Sequence, residues 1–470
     1  MEVLKSILQI ITGLSGVMVA MLSILLLVQL RWPAPFLWIL KLLVAALSPL
    51  FVLIGVLAAI VGVATGSNLI AWIGIYNILI FCLHLFMVTR PPRISINFER
   101  AFGRDWENAI DPGQRPYFLS SPAILKLPAV PAPRLIPNIT YASIPGTGRN
   151  LLCDIWQPSK NIAPSGLAFI YLHGSAWYLL DKDTGTRPLF KHLAAQGHVI
   201  MDVAYRLAPE ADMMEMVNDV KRAIGWLKEN CEKYAVRPDR IVLGGGSAGG
   251  HLALLAAYTA NDPMFTPREL DEKDLSVCGV ISLYGPADLK AMYFHTNQHL
   301  TTRPVQGKPK RTAPAQMPGW LKKRMGKSYH RLGFDKGLKD AGALAPLLGG
   351  HPDECPETYI LFSPDSHIHQ GCPPTLLIQG GQDIMAPVSA TRLLYRRLVK
   401  AKVPVILHVI PQADHAFDLI LPVVSPSAHT AFYDIERFLA LQASSYTKNP
   451  EARSGNKESD QLNKLRKETL

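Results

Sequence analysis

The sequence predicts an α/β protein, with a mostly parallel eight-stranded sheet, helices on both faces and transmembrane helices in front. Three observations predict it. From about residue 135 onward, short apolar runs alternate with amphipathic or alanine-rich stretches, the pattern of strands buried on both faces by crossover helices. The first 90 residues hold three uncharged apolar stretches, each about the 20 residues that a helix needs to cross a hydrocarbon core. Finally, "GGGSAGG" at 244–250 joins an apolar run to an alanine-rich one, a tight strand-to-helix turn with a serine at its centre.

In chain order, the membrane region (1–90) comes first, with spans expected at Ile7–Gln29, Leu42–Ala64 and Leu69–Val88. The short "TGSN" between the last two implies a tight hairpin, and a re-entrant hairpin is the alternative. A cleaved signal peptide fits poorly, because the first run is too long and more membrane-like sequence follows. With three crossings, Arg31, Lys41, Arg90 and Arg93 lie on one side, against little beyond Lys5 on the other. The positive-inside rule then places everything after residue 90 in the cytoplasm, and two crossings would undo that relation. The sequon at Asn138 would matter only on the opposite, luminal side.

Residues 91–134 are rich in proline and read as a linker with one short helix around "FERAFGRDWENAI". Strands follow. "ITYASI" and "NLLCDIW" form an opening antiparallel pair, and then come "GLAFIYLH", "HVIMDVAY", "RIVLGG", "VCGVISLY", "PTLLIQG" and "VPVILHVI". Helical stretches include "MVNDVKRAIGWLKENCEKY", "AGGHLALLAAYTA" and "SATRLLYRRLVKA". This domain runs to about residue 443, with an expected lid insertion at about 288–345. The polar tail at 444–470 is expected to be disordered.

The net charge of +11 does not imply nucleic acid, because much of the excess falls within residues 303–331, which hold nine basic and no acidic residues. Beside a membrane tether, an anionic lipid bilayer is the simpler partner, and a solvent-facing loop is the alternative. The six cysteines form no close pair and no metal-ligand spacing. No phosphate loop, dinucleotide fingerprint or metal cluster stands out, so no cofactor and no metal is expected.

Ligand sites in such sheets gather at the carboxyl ends of the strands. Ser247 follows "RIVLGG", Asp383 follows "PTLLIQGGQ", and His415 lies in "PQADHAF" after the last strand. Serine needs a base to remove its proton, and the base needs a carboxylate to fix its tautomer. Asp365, Asp414 and Asp418 compete for the carboxylate role, but Asp414 adjoins the histidine and is badly placed to reach the ring's outer nitrogen. Asp383 is the choice. The strand end "IYLHGSAW" offers the small residues Gly174 and Ser175, whose N–H groups, with that of Ala248, would form an oxyanion hole. His173 is expected to order this loop, and Trp177 to line the acyl pocket or to pack.

"HGSAW", "YRLAPE", "GGSAGGHLA", "GGQD" and "DHAF" together resemble the alpha/beta hydrolase superfamily, in its hormone-sensitive-lipase-like carboxylesterase branch, over about residues 135–443. The branch has a second glycine where this chain has Ser175. A hydroxyl there keeps the backbone donor and crowds the loop. Arg206 and Glu210 of "YRLAPE" look structural in this family. The isoprenylcysteine methylesterases are similar in architecture, which suggests a lipidated substrate. The resemblance implies a serine carboxylesterase or lipase, and with the apolar N-terminal stretches and the basic insertion it leads to the expectation of a membrane-anchored enzyme acting on an apolar, membrane-partitioned ester. A deacetylase or amidase, and a non-catalytic binding protein on the same fold, are the alternatives.

Overall fold

The structure is a computed structural model that describes residues 2–31, 34–90, 94–144, 146–297 and 344–444. The expected lid, with its basic stretch, falls mostly on residues 298–343, outside the described residues, as does the tail beyond residue 444.

Among the described residues eight strands form one sheet: β1 (Arg134–Ile144), β2 (Arg149–Gln157), β3 (Ala168–Leu172), β4 (Val199–Val203), β5 (Ile241–Gly246), β6 (Gly279–Leu283), β7 (Thr375–Gly380) and β8 (Val405–Ile410). Their spatial order is β1-β2-β4-β3-β5-β6-β7-β8. The β1–β2 hairpin is antiparallel, and β2 also meets β4 antiparallel, with Cys153 opposite Val203. Every pair from β4 onward is parallel. The order reverses at β3, whose neighbours are β4 on one side and β5 on the other, so the loops leaving β3 and β5 diverge and open a crevice.

Period-two alternation divides the strands between two cores. Ile170, Leu172, Met201 and Leu243 join one, while Phe169, Tyr171, Ile200 and Val242 join the other. Both sets are apolar, which is why these strands read as unbroken apolar runs.

Among the described residues the helices are α1 (Glu2–Leu27), α2 (Pro35–Ala46), α3 (Ser48–Thr65), α4 (Asn68–Thr89), α5 (Ile94–Phe102), α6 (Arg187–Ala194), α7 (Met213–Glu229), α8 (Ala248–Tyr258), α9 (Leu289–Thr296), α10 (Leu344–Leu348), α11 (Pro356–Leu361), α12 (Val388–Lys400) and α13 (Pro426–Ala443). Helices α7, α8 and α12 cover the first core, and α5, α6 and α13 the second. The start of α7 is fixed by a capping box, in which Asp212 and Glu215 exchange side-chain and backbone bonds.

Helices α1, α3 and α4 are long and apolar enough to cross a membrane. The second span begins at Ser48 rather than at Leu42. Leu47 breaks the helix, and Pro49, which has no N–H to give to a preceding turn, starts α3. The residues before the break belong to α2, a separate short helix. Gly66, in a left-handed conformation, turns α3 into α4. Their axes approach so closely that a Cβ on Gly62 would lie 2.3 Å from the Ala71 nitrogen, and one on Gly74 2.4 Å from that of Ala59.

The bundle does not hang from a free linker. Phe98, Phe102, Trp106, Ile110 and Leu119 from the expected linker are buried in the second core, and the Leu119 N–H donates to Glu436. Proline fixes the path of this segment while its aromatic residues supply the burial. The ends of α1 and α4 reach the sheet-bearing part of the chain as well. Gln382 donates to the Leu26 carbonyl (3.3 Å), Thr430 donates to the Val88 carbonyl (2.8 Å), and His84 Nδ1 meets Gln412 Oε1 at 2.9 Å.

Candidate active site

The chain leaves β5 into α8 through Ser247, whose φ of 53° and ψ of −122° are costly for a residue with a Cβ. Close packing of backbones holds it there. A Cβ on Gly249 would lie 2.0 Å from the Leu172 carbonyl oxygen at the end of β3, and one on Gly245 2.3 Å from the same atom. Small residues on both sides of Ser247 are therefore a steric requirement of the turn. The Ser247 N–H donates to the Leu283 carbonyl, which ties the turn to β6.

Ser247 Oγ lies 2.8 Å from His415 Nε2, and His415 Nδ1 lies 3.0 and 3.1 Å from the two oxygens of Asp383. A carboxylate only accepts, so Nδ1 carries the ring proton and Nε2 is left to accept from the serine. Asp383 is fixed in turn: Oδ1 accepts from the N–H groups of Met385 (2.8 Å) and Ala386 (2.7 Å), and Oδ2 accepts from Gln379 (2.7 Å). Asp383 and His415 are buried, whereas Ser247 keeps partial exposure.

The other carboxylates weighed for this role are engaged elsewhere. Asp365 pairs with Arg397 at 2.6 Å. Asp418 accepts from the Tyr284 hydroxyl, and burial raises its pKa to about 6. Asp414 accepts from the His415 main chain rather than from its ring.

Gly174 sits against Ser247, for a Cβ there would come 3.1 Å from the Gly246 oxygen and 3.4 Å from the Ser247 Cβ. Ala248 opens α8, so no carbonyl of that helix receives its N–H. The Ser175 hydroxyl is absorbed by its own loop. Tyr205 donates to the His173 carbonyl (2.8 Å), so the Ser175 hydroxyl gives its proton to the Tyr205 oxygen (2.7 Å) and accepts from the Trp177 N–H (2.9 Å). His173 stacks on the Tyr205 ring at 4.5 Å, and burial lowers its pKa to about 4, which suits a neutral group that orders a loop. Trp177 is only 1% exposed, and its indole donates to His251 Nδ1 at 3.3 Å. Arg206 binds Asp219 through two nitrogens, and Glu210 pairs with Arg149.

Two contributions went unread in the sequence. The Tyr284 ring lies 4.7 Å from that of His415, placed by a backbone with φ of 44°. From helix α2, Trp38 Nε1 donates to the His415 carbonyl at 3.1 Å, and the Lys41 ammonium meets Asp414 at 3.0 Å. For Trp38 and Lys41 the hint was polar groups in an apolar helical sequence, whereas Tyr284, just after β6, carried no such signal. Among the described residues, no group of three or more histidine, cysteine, aspartate or glutamate side chains is arranged to hold a metal ion.

This arrangement is one that can support acyl transfer to serine: a hydroxyl in a strained turn, an imidazole aligned with it and a carboxylate that orients the imidazole. The family model described as BD-FAE matches residues 153–318. The probable carboxylic ester hydrolase LipM of Mycobacterium tuberculosis is 31% identical over 300 residues, which cover 62% of this chain and 58% of that protein. Esterase LipQ of the same organism is 28% identical, over 71% of each chain. Among solved structures, Thermogutta terrifontis esterase 2 phosphonylated by cyclosarin aligns with a TM-score of 0.43 at 22% identity, covering 62% of this chain and 87% of that one. The sheet order is that of an alpha/beta hydrolase fold, and the chain is similar in sequence to these carboxylic ester hydrolases while spanning less than two thirds of the length of LipM.

Proposed function

We propose that the protein is a serine carboxylic ester hydrolase, held in a membrane by α1, α3 and α4, that acts on an apolar, membrane-partitioned ester. The observation that carries this reading is the unbroken hydrogen-bond chain from Ser247 through His415 to Asp383. In the first half-reaction Ser247 Oγ attacks the ester carbonyl as its proton passes to His415 Nε2. The carbonyl oxygen takes up the negative charge, facing the N–H groups of Gly174, Ser175 and Ala248. Collapse breaks the ester C–O bond, and the leaving alkoxide takes the proton from His415. Water, deprotonated by the same nitrogen, then releases the acid from Ser247.

The bundle's contacts support a substrate drawn from the bilayer. Leu26, Trp38 and His84 bond to Gln382, His415 and Gln412, so the strand edge that bears Ser247 lies beside the bundle. The cytoplasmic placement rests on Arg31, Lys41, Arg90 and Arg93. Asp414 neutralises Lys41, which leaves the other three to supply that asymmetry.

Ser247→Ala in the full chain should abolish hydrolysis of p-nitrophenyl esters and labelling by a fluorophosphonate probe, with the melting profile retained. Turnover at the wild-type rate would sink the assignment. Matched ester and anilide substrates separate esterase from amidase, and esters of graded acyl length test the apolar preference.

A further inference from the structure

We propose that Lys41, acting through Asp414, is a positioning residue for the catalytic histidine, so that helix α2 completes the active site rather than only tethering it. This rests on the esterase reading above. Asp414 Oδ1 accepts from the N–H of Ile384 (2.9 Å) and the N–H of His415 (2.7 Å). One carboxylate thus ties together the two loops that carry Asp383 and His415. Its other oxygen meets Lys41 Nζ at 3.0 Å, with both side chains 1% exposed. This is an ion-pair contact off the hydrogen-bond line, and among the described residues Oδ2 has no hydrogen-bond partner. Lys41 is anchored by the Val28 carbonyl (3.1 Å), and Trp38, on the preceding turn of α2, donates to the His415 carbonyl (3.1 Å).

Removing one member of a buried ion pair leaves the other charge without compensation, and the surroundings must move to rehydrate it. Here the group that would move is the clamp on both triad loops, and small displacements of reacting groups cost large factors in rate. The charged and titratable groups around His415 are Asp383 and Tyr284 at its ring, Asp414 at its main chain, Asp418 nearby and Lys41 behind Asp414. His295 binds the Asp383 carbonyl. Three of these groups are acids and Lys41 is the cation that faces them, so its loss makes the surroundings of His415 more negative and strengthens the hold on the imidazolium proton.

The test uses the full chain in detergent micelles, with p-nitrophenyl butyrate rates divided by the amount of enzyme that a fluorophosphonate labels. Lys41→Met should lower kcat about tenfold or more with KM within about twofold, and raise the acid limb of kcat/KM by about half a pH unit. Lys41→Arg should keep the wild-type limb. Asp414→Asn should also lower kcat, and the double variant, which removes both charges, should exceed Lys41→Met alone. Lys5→Met, near the far end of α1, serves as the neutral control. A wild-type kcat per labelled site and a wild-type limb in Lys41→Met would overturn the proposal, as would a double variant whose loss is the product of the single losses. A variant that is only unstable would lose labelled enzyme without changing either quantity, which also counts against it. A wild-type chain that neither labels nor turns over ester refutes the esterase reading itself, a result distinct from an active enzyme indifferent to Lys41.

Discussion

Ser247 Oγ and His415 Nε2 lie 2.8 Å apart although 168 residues separate them in the chain. They meet because β5 and β8 are parallel members of one sheet and end on the same edge. The acid follows the same rule from β7. Asp383→Asn should test the chain of bonds most directly, because an amide can donate to Nδ1 and so drive the ring proton to Nε2, facing the nucleophile. We expect kcat to fall by about 10³–10⁴ with KM little changed. Stopped-assay kinetics on protein of wild-type circular dichroism would measure it, and a loss under about tenfold would refute the role of Asp383.

Why the sequence was legible in one half of the molecule and not in the other follows from the length of the interactions. Strands β3 to β7 are buried on both faces, so each apolar run is a local signal, and the partly exposed β1, β2 and β8 still carry enough apolar residues to be read as strands. The turn at Ser247 is a steric requirement between backbones and had to be written in glycines and alanines around the serine. Helix α13 was not read, because His429, Asp434 and Glu436 are buried in it, which erases the polar face that marks an amphipathic helix. The break at Leu47 was missed because the apolar run continues across it, and Pro49 can start a helix as readily as end one. The Lys41–Asp414 contact joins α2 to the loop after β8, and no local pattern in either segment announces its partner.

Ser175 should prove structural through its side chain and chemical through its backbone. Ser175→Ala removes the acceptor of the Trp177 N–H and the donor to Tyr205, leaving buried polar groups unpaired at a cost of about 1–3 kcal/mol. A lower melting temperature is expected, with kcat per folded enzyme reduced only a few-fold because the N–H donor survives. Tyr205→Phe should destabilise comparably, and the double variant should lose less than the sum. Strict additivity, or an unchanged melting point in both single variants, would show that the relay contributes nothing.

Asp418 gives a pH signature. Burial raises its pKa to about 6 in the folded chain, against about 3.9 when unfolded. The folded state therefore binds the proton more tightly, so this group's contribution to stability is most favourable at acid pH. It diminishes as pH rises through the window from about 4 to about 6, by about 2–3 kcal/mol in all. Asp418→Asn keeps an acceptor for the Tyr284 hydroxyl and lacks the titration. Its melting temperature relative to wild type should therefore rise between pH 4.5 and pH 7.5. A difference that stays constant across that range would show that Asp418 titrates alike in both states.

Gly249→Ala tests whether the elbow and the oxyanion loop are one packed unit. The added methyl would lie 2.0 Å from the Leu172 carbonyl oxygen and 2.7 Å from that of His173, and neither is a side chain that can swing aside. Relief requires α8 to draw away from the end of β3, which separates the Ala248 N–H from those of Gly174 and Ser175. Stability and catalysis should fall together: more than about 3 kcal/mol of stability, in the range of severe core overpacking, with any folded remainder labelled slowly by a fluorophosphonate. Gly66→Ala is the contrasting change. Its φ of 73° also disfavours a side chain, but nothing lies within 4 Å of the new methyl, so only the backbone cost of about 1–2 kcal/mol applies and the labelling rate should stay at the wild-type value. Thermal melts and labelling rates of the two variants, measured side by side, separate backbone strain from backbone collision. A Gly249→Ala protein that melts with wild type and labels at the wild-type rate would mean that β3 and α8 part without disturbing the donors beside Ser247.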